Sequence, residues 1–159
     1  MLAAAALCLL SGSAAARTAP ADRVVVNKAK RELLLYRGGN VIRSYKIALG
    51  NNPVGPKTRQ GDGKTPEGNY SISGRNAASA FHKSLRVSYP NAADRERARR
   101  QGVNPGGDIM IHGLPNGQGF IGAAHRLTDW TNGCIAVTNA EIEEIWNLVP
   151  NGTPVEINP

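Results

Sequence analysis

The chain has 159 residues, a formal net charge of +7, and 41% hydrophobic residues, of which few are aromatic. That length fits one domain with a workable core and leaves no room for a second of ordinary size. The charge favours anionic surroundings: nucleic acid, a membrane surface or an acidic wall polymer.

Residues 1–10 form an unbroken run of small and apolar side chains, followed by Ser11-Gly12-Ser13 and Ala14-Ala15-Ala16. This reads as a signal peptide over residues 1–16, with an A-x-A site cut after Ala16. The apolar run falls short of the ~20 residues that span a bilayer. No Lys or Arg follows Met1, so a start placed too late and an Ala-rich disordered tail stay open as alternatives. Cys8 would suggest a lipoprotein, but Leu7 does not fit the small residue such a site wants, and Cys8 leaves with the leader. An exported chain does not meet nucleic acid. The basic run Arg95, Arg97, Arg99 and Arg100 falls on one expected helix, as a solvated face or as a binding patch. Without Cys8, the mature chain keeps Cys134 alone. A single thiol cannot close an internal disulfide and is a liability where the surroundings oxidise. Its retention points to use, the alternative being a small buried hydrophobe.

In chain order, residues 23–27 are β-rich and 28–30 make a polar connection to a second strand at 32–36. A Gly-Gly-Asn turn leads into a third strand at 41–49, and the three together read as an antiparallel meander. Residues 50–68 are loop-like, with Pro53, Pro56 and Pro66, and suit either a cleft wall or a plain surface excursion. Residues 69–73 and 84–89 are strands. Asn91 can cap a basic helix over 92–101 that stops at Gly102. A buried-type strand at 108–111 delivers His112-Gly113, and a Gly-rich link at 114–122 precedes the cysteine segment. Thr138 or Asn139 caps a helix over 140–148 whose apolar face holds Ile142, Ile145, Trp146 and Val149. Residues 153–157 form a last strand. The reading is a mostly β (α+β) domain over 23–158, with two or three short helices.

The chemistry concentrates in residues 111–138. Thr131-Asn132-Gly133-Cys134 places a thiol in a tight polar turn. A free thiol has a pKa of ~8.5 and is only a few per cent thiolate at neutral pH, so it needs a base. His112, at a strand end and followed by Gly113, is the candidate general base. The unobstructed Gly113 carbonyl can hold its other ring nitrogen and fix the tautomer. Consecutive amides of Asn132, Gly133 and Cys134 can meet a developing oxyanion, where each donor contributes ~2.7–4 kcal/mol to the transition state. His125, with Arg126 beside it, either lines the cleft or contacts a carboxylate, or is structural. Trp130 packs or lines substrate. His82 reads as a surface or packing residue. Zinc held by His112, His125 and Cys134 has the right ligand number but no supporting H-x-x-x-H or C-x-x-C spacing, so no metal and no cofactor is expected.

Thr65-Pro66-Glu67-Gly68-Asn69-Tyr70, Ile111-His112-Gly113 and Asp129-Trp130-Thr131-Asn132-Gly133-Cys134-Ile135-Ala136-Val137 resemble the L,D-transpeptidase catalytic (YkuD) family. The resemblance implies a β-sandwich or barrel-like fold and a cysteine transpeptidase of peptidoglycan stem peptides, exported to the periplasm or cell envelope and monomeric. It implies Cys134 as nucleophile, His112 as base and acid, Gly113 as the residue orienting it, and the Gly133 and Cys134 amides as oxyanion hole. Thr131, Asn132, His125, Arg126 and Trp130 would contact substrate. The acceptor would be an amine of a second stem peptide or of a wall-linked lipoprotein. Asn132 and Ala136 depart from the commonest pattern, which has His before Gly-Cys and Arg or Asn two residues after Cys. They resemble a subgroup with a Trp-Thr-x-Gly-Cys motif. Transfer to water, as in a carboxypeptidase- or amidase-type hydrolase of stem peptides or wall-linked protein, and a non-catalytic basic wall-binding module are the rival readings.

Overall fold

The computed structural model describes residues 19–159, so the leader and Cys8 lie outside the described residues. Eight strands make one sheet: β1 (Arg23–Asn27), β2 (Glu32–Arg37), β3 (Asn40–Lys46), β4 (Gly68–Ser79), β5 (His82–Val87), β6 (Met110–His112), β7 (Ile135–Ala136) and β8 (Pro154–Asn158). Their spatial order is β3-β2-β1-β8-β4-β5-β6-β7. The first three form the expected meander. The C-terminal strand β8 then inserts parallel to β1 and antiparallel to β4.

β4 links the two halves of the sheet. Its first residues pair with β8, and from Ile72 onward it pairs with β5 across a bulge at Ile72/Gly74. Such a bulge bends a strand and raises its twist. The sheet thereby curls into a half-barrel, and the chain leaving β3 bridges to the far edge through Ala48 opposite Ala136 and Gly50 opposite Thr131. The inner face is filled by alternate residues of each strand, among them Val24, Val26, Leu33, Leu35, Ile72, Leu85, Ile111 and Ile157, all buried. Each such side chain contributes about 1.5–3 kcal/mol on burial. Helix α2 (Asn139–Leu148) adds Ile142, Ile145 and Leu148 to this core. It starts from a capping box between Thr138 and Glu141.

Several element bounds differ from the sequence expectation. β4 extends to Ser79, because Gly74 and the exposed stretch around Asn76 carry no alternating apolar signal. β3 stops at Lys46 since the next residues leave β2 for β7. β6 starts at Met110 rather than 108, as Asp108 turns through a left-handed conformation (φ 55°). Part of the Gly-rich link coils into a 3₁₀ segment, Gly119–Leu127, kinked at Gly122. Trp146 is only partly buried against the core, under the Arg75 guanidinium at 4.0 Å. In the basic helix α1 (Ala92–Gln101), Arg97 pairs with Asp94, and Arg99 and Arg100 both pair with Glu96. Much of its charge is therefore used within the helix.

The loop at residues 50–68 has no regular element, and two buried polar hubs organise it. The Lys28 ammonium donates to Gly55 O (2.7 Å), Thr65 O (3.0 Å) and Glu67 Oε1 (2.8 Å). The Asp62 carboxylate accepts from Lys57 Nζ (2.8 Å) and from the amides of Thr58, Arg59 and Lys64. Burial opposes ionisation of Asp62, yet the Lys57 ammonium and the three amides outweigh it and hold its carboxyl at about 2. A carboxyl lowered in this way stabilises the fold above its unfolded pKa of ~3.9 and loses that contribution as pH falls toward 2. Asp62→Asn is expected to cost about 2 kcal/mol in urea unfolding at pH 7 and much less at pH 2. An equal loss at both values would show that the charge is not what matters.

Candidate active site

β6 and β7 run parallel with Ile111 beside Ile135 and His112 beside Ala136. Both isoleucines are fully buried. Since side chains alternate along a strand, Met110 and His112 on β6 and Cys134 and Ala136 at β7 share the opposite face. Cys134 and His112 are thus diagonal neighbours. Among the described residues no hydrogen bond joins the Cys134 sulfur to the His112 ring. The thiol instead donates to Asp108 O at 3.4 Å, and the Met110 amide donates toward the sulfur. Burial pushes the thiol pKa up, with that amide pulling the other way. The resting sulfur is a protonated, half-buried thiol.

His112 is 3% exposed. Its Nδ1 lies 2.6 Å from Gly113 O. A carbonyl only accepts, so Nδ1 carries the proton and Nε2 keeps its lone pair. Burial lowers the pKa of the ring, and the Gly113 bond offsets this in part; the imidazole is neutral at neutral pH. Phe81 lies against the ring, with centroids 4.4 Å apart, and Trp130 meets it edge-on at 5.9 Å. Gly113 must be glycine, because a Cβ there would sit 2.7 Å from Asn139 Oδ1 and 3.1 Å from Ile142 Cγ2. Asn139 also accepts from the Leu114 amide at 2.8 Å, tying the segment after His112 to the start of α2.

The cysteine turn is held by its own threonine. Thr131 Oγ1 donates to Cys134 O (2.8 Å) and accepts from Gly133 N (3.1 Å). The Gly133 amide is therefore already engaged at rest, whereas the Cys134 amide has no acceptor among the described residues. Gly133 sits at φ +127°, and a Cβ there would lie 2.6 Å from Lys64 O. The turn is fastened across the barrel seam by Asp129, which accepts from Arg31 Nε (3.0 Å), Arg31 Nη2 (2.7 Å) and Leu49 N (2.9 Å). Thr131 adds backbone bonds to Leu49 and Asn51.

The remaining sequence candidates divide. His125, on the 3₁₀ segment, is 7% exposed, and its Nδ1 accepts from Trp130 Nε1 at 3.4 Å. This bond puts the ring proton on Nε2, which is buried without a partner. Burial and then the Arg126 charge lower its pKa. His125 and Trp130 line a 260 Å³ cavity with Leu114, Pro115, Gln118 and Ile121. Arg126 turns away to pair with Glu141 on α2, Asn132 is exposed at the rim, and His82 pairs at the surface with Glu143 at 2.7 Å. Among the described residues no group of three His, Cys, Asp or Glu side chains is placed to hold a metal ion. Sequence reasoning gave no site role to Phe81, Asn139, Asp129 or Arg31, although Asn139 stands at a helix start and Asp129 opens the cysteine motif.

The fold is shared by solved L,D-transpeptidases. Pgp2 of Campylobacter jejuni, described as a helical cell shape determining protein, has a TM-score of 0.64 and 29% identity, covering 84% of this chain and 46% of that one. An L,D-transpeptidase from Mycobacterium smegmatis has a TM-score of 0.57 at 14% identity, covering 87% and 59%, which speaks to the fold alone. The YkuD family, the L,D-transpeptidase catalytic domain, matches residues 21–157, and the chain belongs to that family. YafK of Escherichia coli K12, provisionally named an L,D-transpeptidase, is 34% identical over 134 residues, covering 79% of this chain and 46% of YafK. The chain thus spans about half the length of YafK and Pgp2.

Gly133→Ala is expected to lower the unfolding free energy by about 1–3 kcal/mol, for its backbone conformation and the Lys64 carbonyl both resist a Cβ. At the exposed neighbour Asn132, substitution by alanine should change it by less than about 0.5 kcal/mol. Chemical denaturation of both variants checks the contrast.

Proposed function

We propose that this chain carries an L,D-transpeptidase activity on peptidoglycan stem peptides, with Cys134 as nucleophile and His112 as general base and acid. The observation that carries the reading is the His112 tautomer: Gly113 O holds Nδ1–H and leaves a buried, neutral Nε2 on the same sheet face as the thiol. Thiol and imidazole are both neutral at rest, so deprotonation accompanies attack. Once Cys134 turns from the Asp108 carbonyl, its sulfur attacks the carbonyl of the third-position diamino acid while Nε2 takes the thiol proton. The amide of Cys134, unengaged in the resting turn, meets the oxyanion first; that of Gly133 joins if Thr131 releases it. Nε2 then protonates the departing terminal D-residue, leaving a thioester. An amine of a second stem peptide or of a wall-linked protein attacks the thioester; His112 Nε2 takes the proton of the amine and passes it to the departing Cys134 sulfur, which regenerates the thiol. His125, Trp130, Thr131 and Asn132 border the substrate; Arg126, bound to Glu141, supports α2 instead. The name of Pgp2 as a cell shape determinant supports a wall-remodelling role in the cell envelope, reached by export on the leader of residues 1–16, with 23–158 as the catalytic domain.

Carbapenem treatment followed by intact-mass measurement should add one acyl group to the native protein and none to Cys134→Ala. Folded protein that gains no adduct argues against the reading. On defined muropeptides, new cross-linked or amine-transferred products are expected; shortened products alone would reassign the site to hydrolysis.

His112→Ala should lose about 10²–10⁴-fold in turnover. Burial keeps the ring pKa below its ordinary ~6.5. The active, neutral ring is therefore lost only as pH falls through that lowered value. The acid limb of kcat/KM should bend below pH 6.5, and a bend at 7 or above would implicate another base.

A further inference from the structure

A second cavity, of 250 Å³, opens on the sheet face that carries His112. It is lined by Ser73, Gly74, Asn76, Ser84, Arg86 and Met110, with Arg75 at its edge. The register sets it on the strands next to the thiol: Ser84 pairs with His112, Arg86 with Met110, and Gly74 with Arg86. Met110 in turn lies next to Cys134 across the β6–β7 pair. Arg75 points its guanidinium to the other side of the sheet, over the Trp146 ring and onto Trp146 O. Arg86 is thus the cation that this lining turns toward the groove, 53% exposed, and it binds Asp108 Oδ1 at 2.7 Å. The Ser84 residue is 2% exposed, yet its hydroxyl has no hydrogen-bond partner among the described residues. Gly74 leaves the floor open: a Cβ there would meet only Arg86 Cβ, at 3.9 Å.

We propose that this groove is a carboxylate-binding subsite for the acyl-donor peptide, with Arg86 as its cation and the Ser84 hydroxyl as a neutral donor. The proposal rests on the reading of Cys134 as the acylated thiol. Asp108 shows what Arg86 accepts: its carboxylate already occupies the guanidinium, but at 75% exposure and from a left-handed backbone position. An ion pair so exposed is weakly held and exchanges readily for an incoming carboxylate, and Arg favours carboxylates through its planar fork. β5 lies two strand spacings from β7, about 10 Å. The reach of an arginine side chain then puts the bound carboxylate within about one or two peptide residues of the scissile carbonyl. Within that reach it is either the terminal carboxylate of the departing D-residue or a carboxylate inside the stem.

The test uses the full chain carrying Cys134→Ala, so that nothing turns over. Calorimetry measures binding of a stem tetrapeptide, of its C-terminal amide, and of a form amidated only at its internal carboxylates. One amidation should weaken binding about tenfold or more, the scale of a charged hydrogen bond, and the arm that does so identifies the carboxylate. Arg86→Gln should bring the free-acid peptide to that weaker level, Arg86→Lys should retain part of the affinity, and Asp108→Asn should tighten it. Gly74→Leu, at a position with no positive φ, should block all three peptides, with circular dichroism reporting the fold. Equal binding of free and amidated peptides overturns the proposal. So does native affinity in Arg86→Gln, or no binding of the free-acid peptide to folded Cys134→Ala. Turnover of the same peptide by the native chain is read separately. Carboxylate-dependent binding without turnover retains the subsite and removes the transpeptidase reading; turnover with indifferent binding does the reverse.

Discussion

The site depends on the closure of a curled sheet. β3 and β7 are its two edges, and the chain leaving β3 meets β7 and the cysteine turn through Ala48–Ala136 and Gly50–Thr131. A short edge strand of two residues such as β7 has little stability of its own. What holds it is the parallel pairing to β6 on one side and the bridged segment on the other. The Asp129 carboxylate, taking Arg31 and the Leu49 amide at once, locks that seam one residue before Trp130. The thiol is therefore positioned by contacts between segments remote in sequence, and the turn around it has little freedom to relax.

That rigidity shapes the chemistry. Burial raises the thiol pKa and lowers that of the imidazole, and both shifts favour the neutral pair over a thiolate–imidazolium pair. The proton stays on sulfur, satisfied by the Asp108 carbonyl. A neutral pair suits an enclosed site, where separated charges without full solvation are costly. It also makes charge develop only where amide donors can meet it. Phe81 and Trp130 against His112 contribute by keeping water from the ring and fixing its plane.

What could be read in the sequence was local. His112-Gly113 at a strand end and Cys134 in a Thr-Asn-Gly turn were legible because the orienting carbonyl and the turn lie within a few residues. The meander and both helices were legible for the same reason, from turn glycines and capping residues. The pairing of Asp129 with Arg31, or of Lys28 with the loop at residues 50–68, left no trace, since a single ion pair closes across a long stretch of chain that has no periodicity. The expected partner of the thiol was the His112 ring, and the structure gives Asp108 O; the difference comes from the left-handed turn at Asp108, which no residue pattern announced. The Gly133 amide, expected in the oxyanion hole, donates in this structure to Thr131 Oγ1, two residues back.

Charge follows the same logic of pairing. The chain is strongly basic, yet every acidic residue in the described chain except Asp22 sits within ion-pair distance of a cation. The net excess is thus carried by cations with no acid of their own, and a ligand carboxylate approaching the sheet meets few uncompensated negative charges. Where a pair is buried, as Lys57 with Asp62, a ligand cannot replace the acid without unfolding the loop. Where both partners reach solvent, exchange costs little. Arg86 with Asp108 is such a pair, and it adjoins Cys134; the same Asp108 residue gives its carbonyl to the thiol and its carboxylate to the arginine. One residue thus holds both contacts, and under the proposed carboxylate subsite a ligand that displaces the Arg86 contact would act on the residue whose carbonyl holds the thiol.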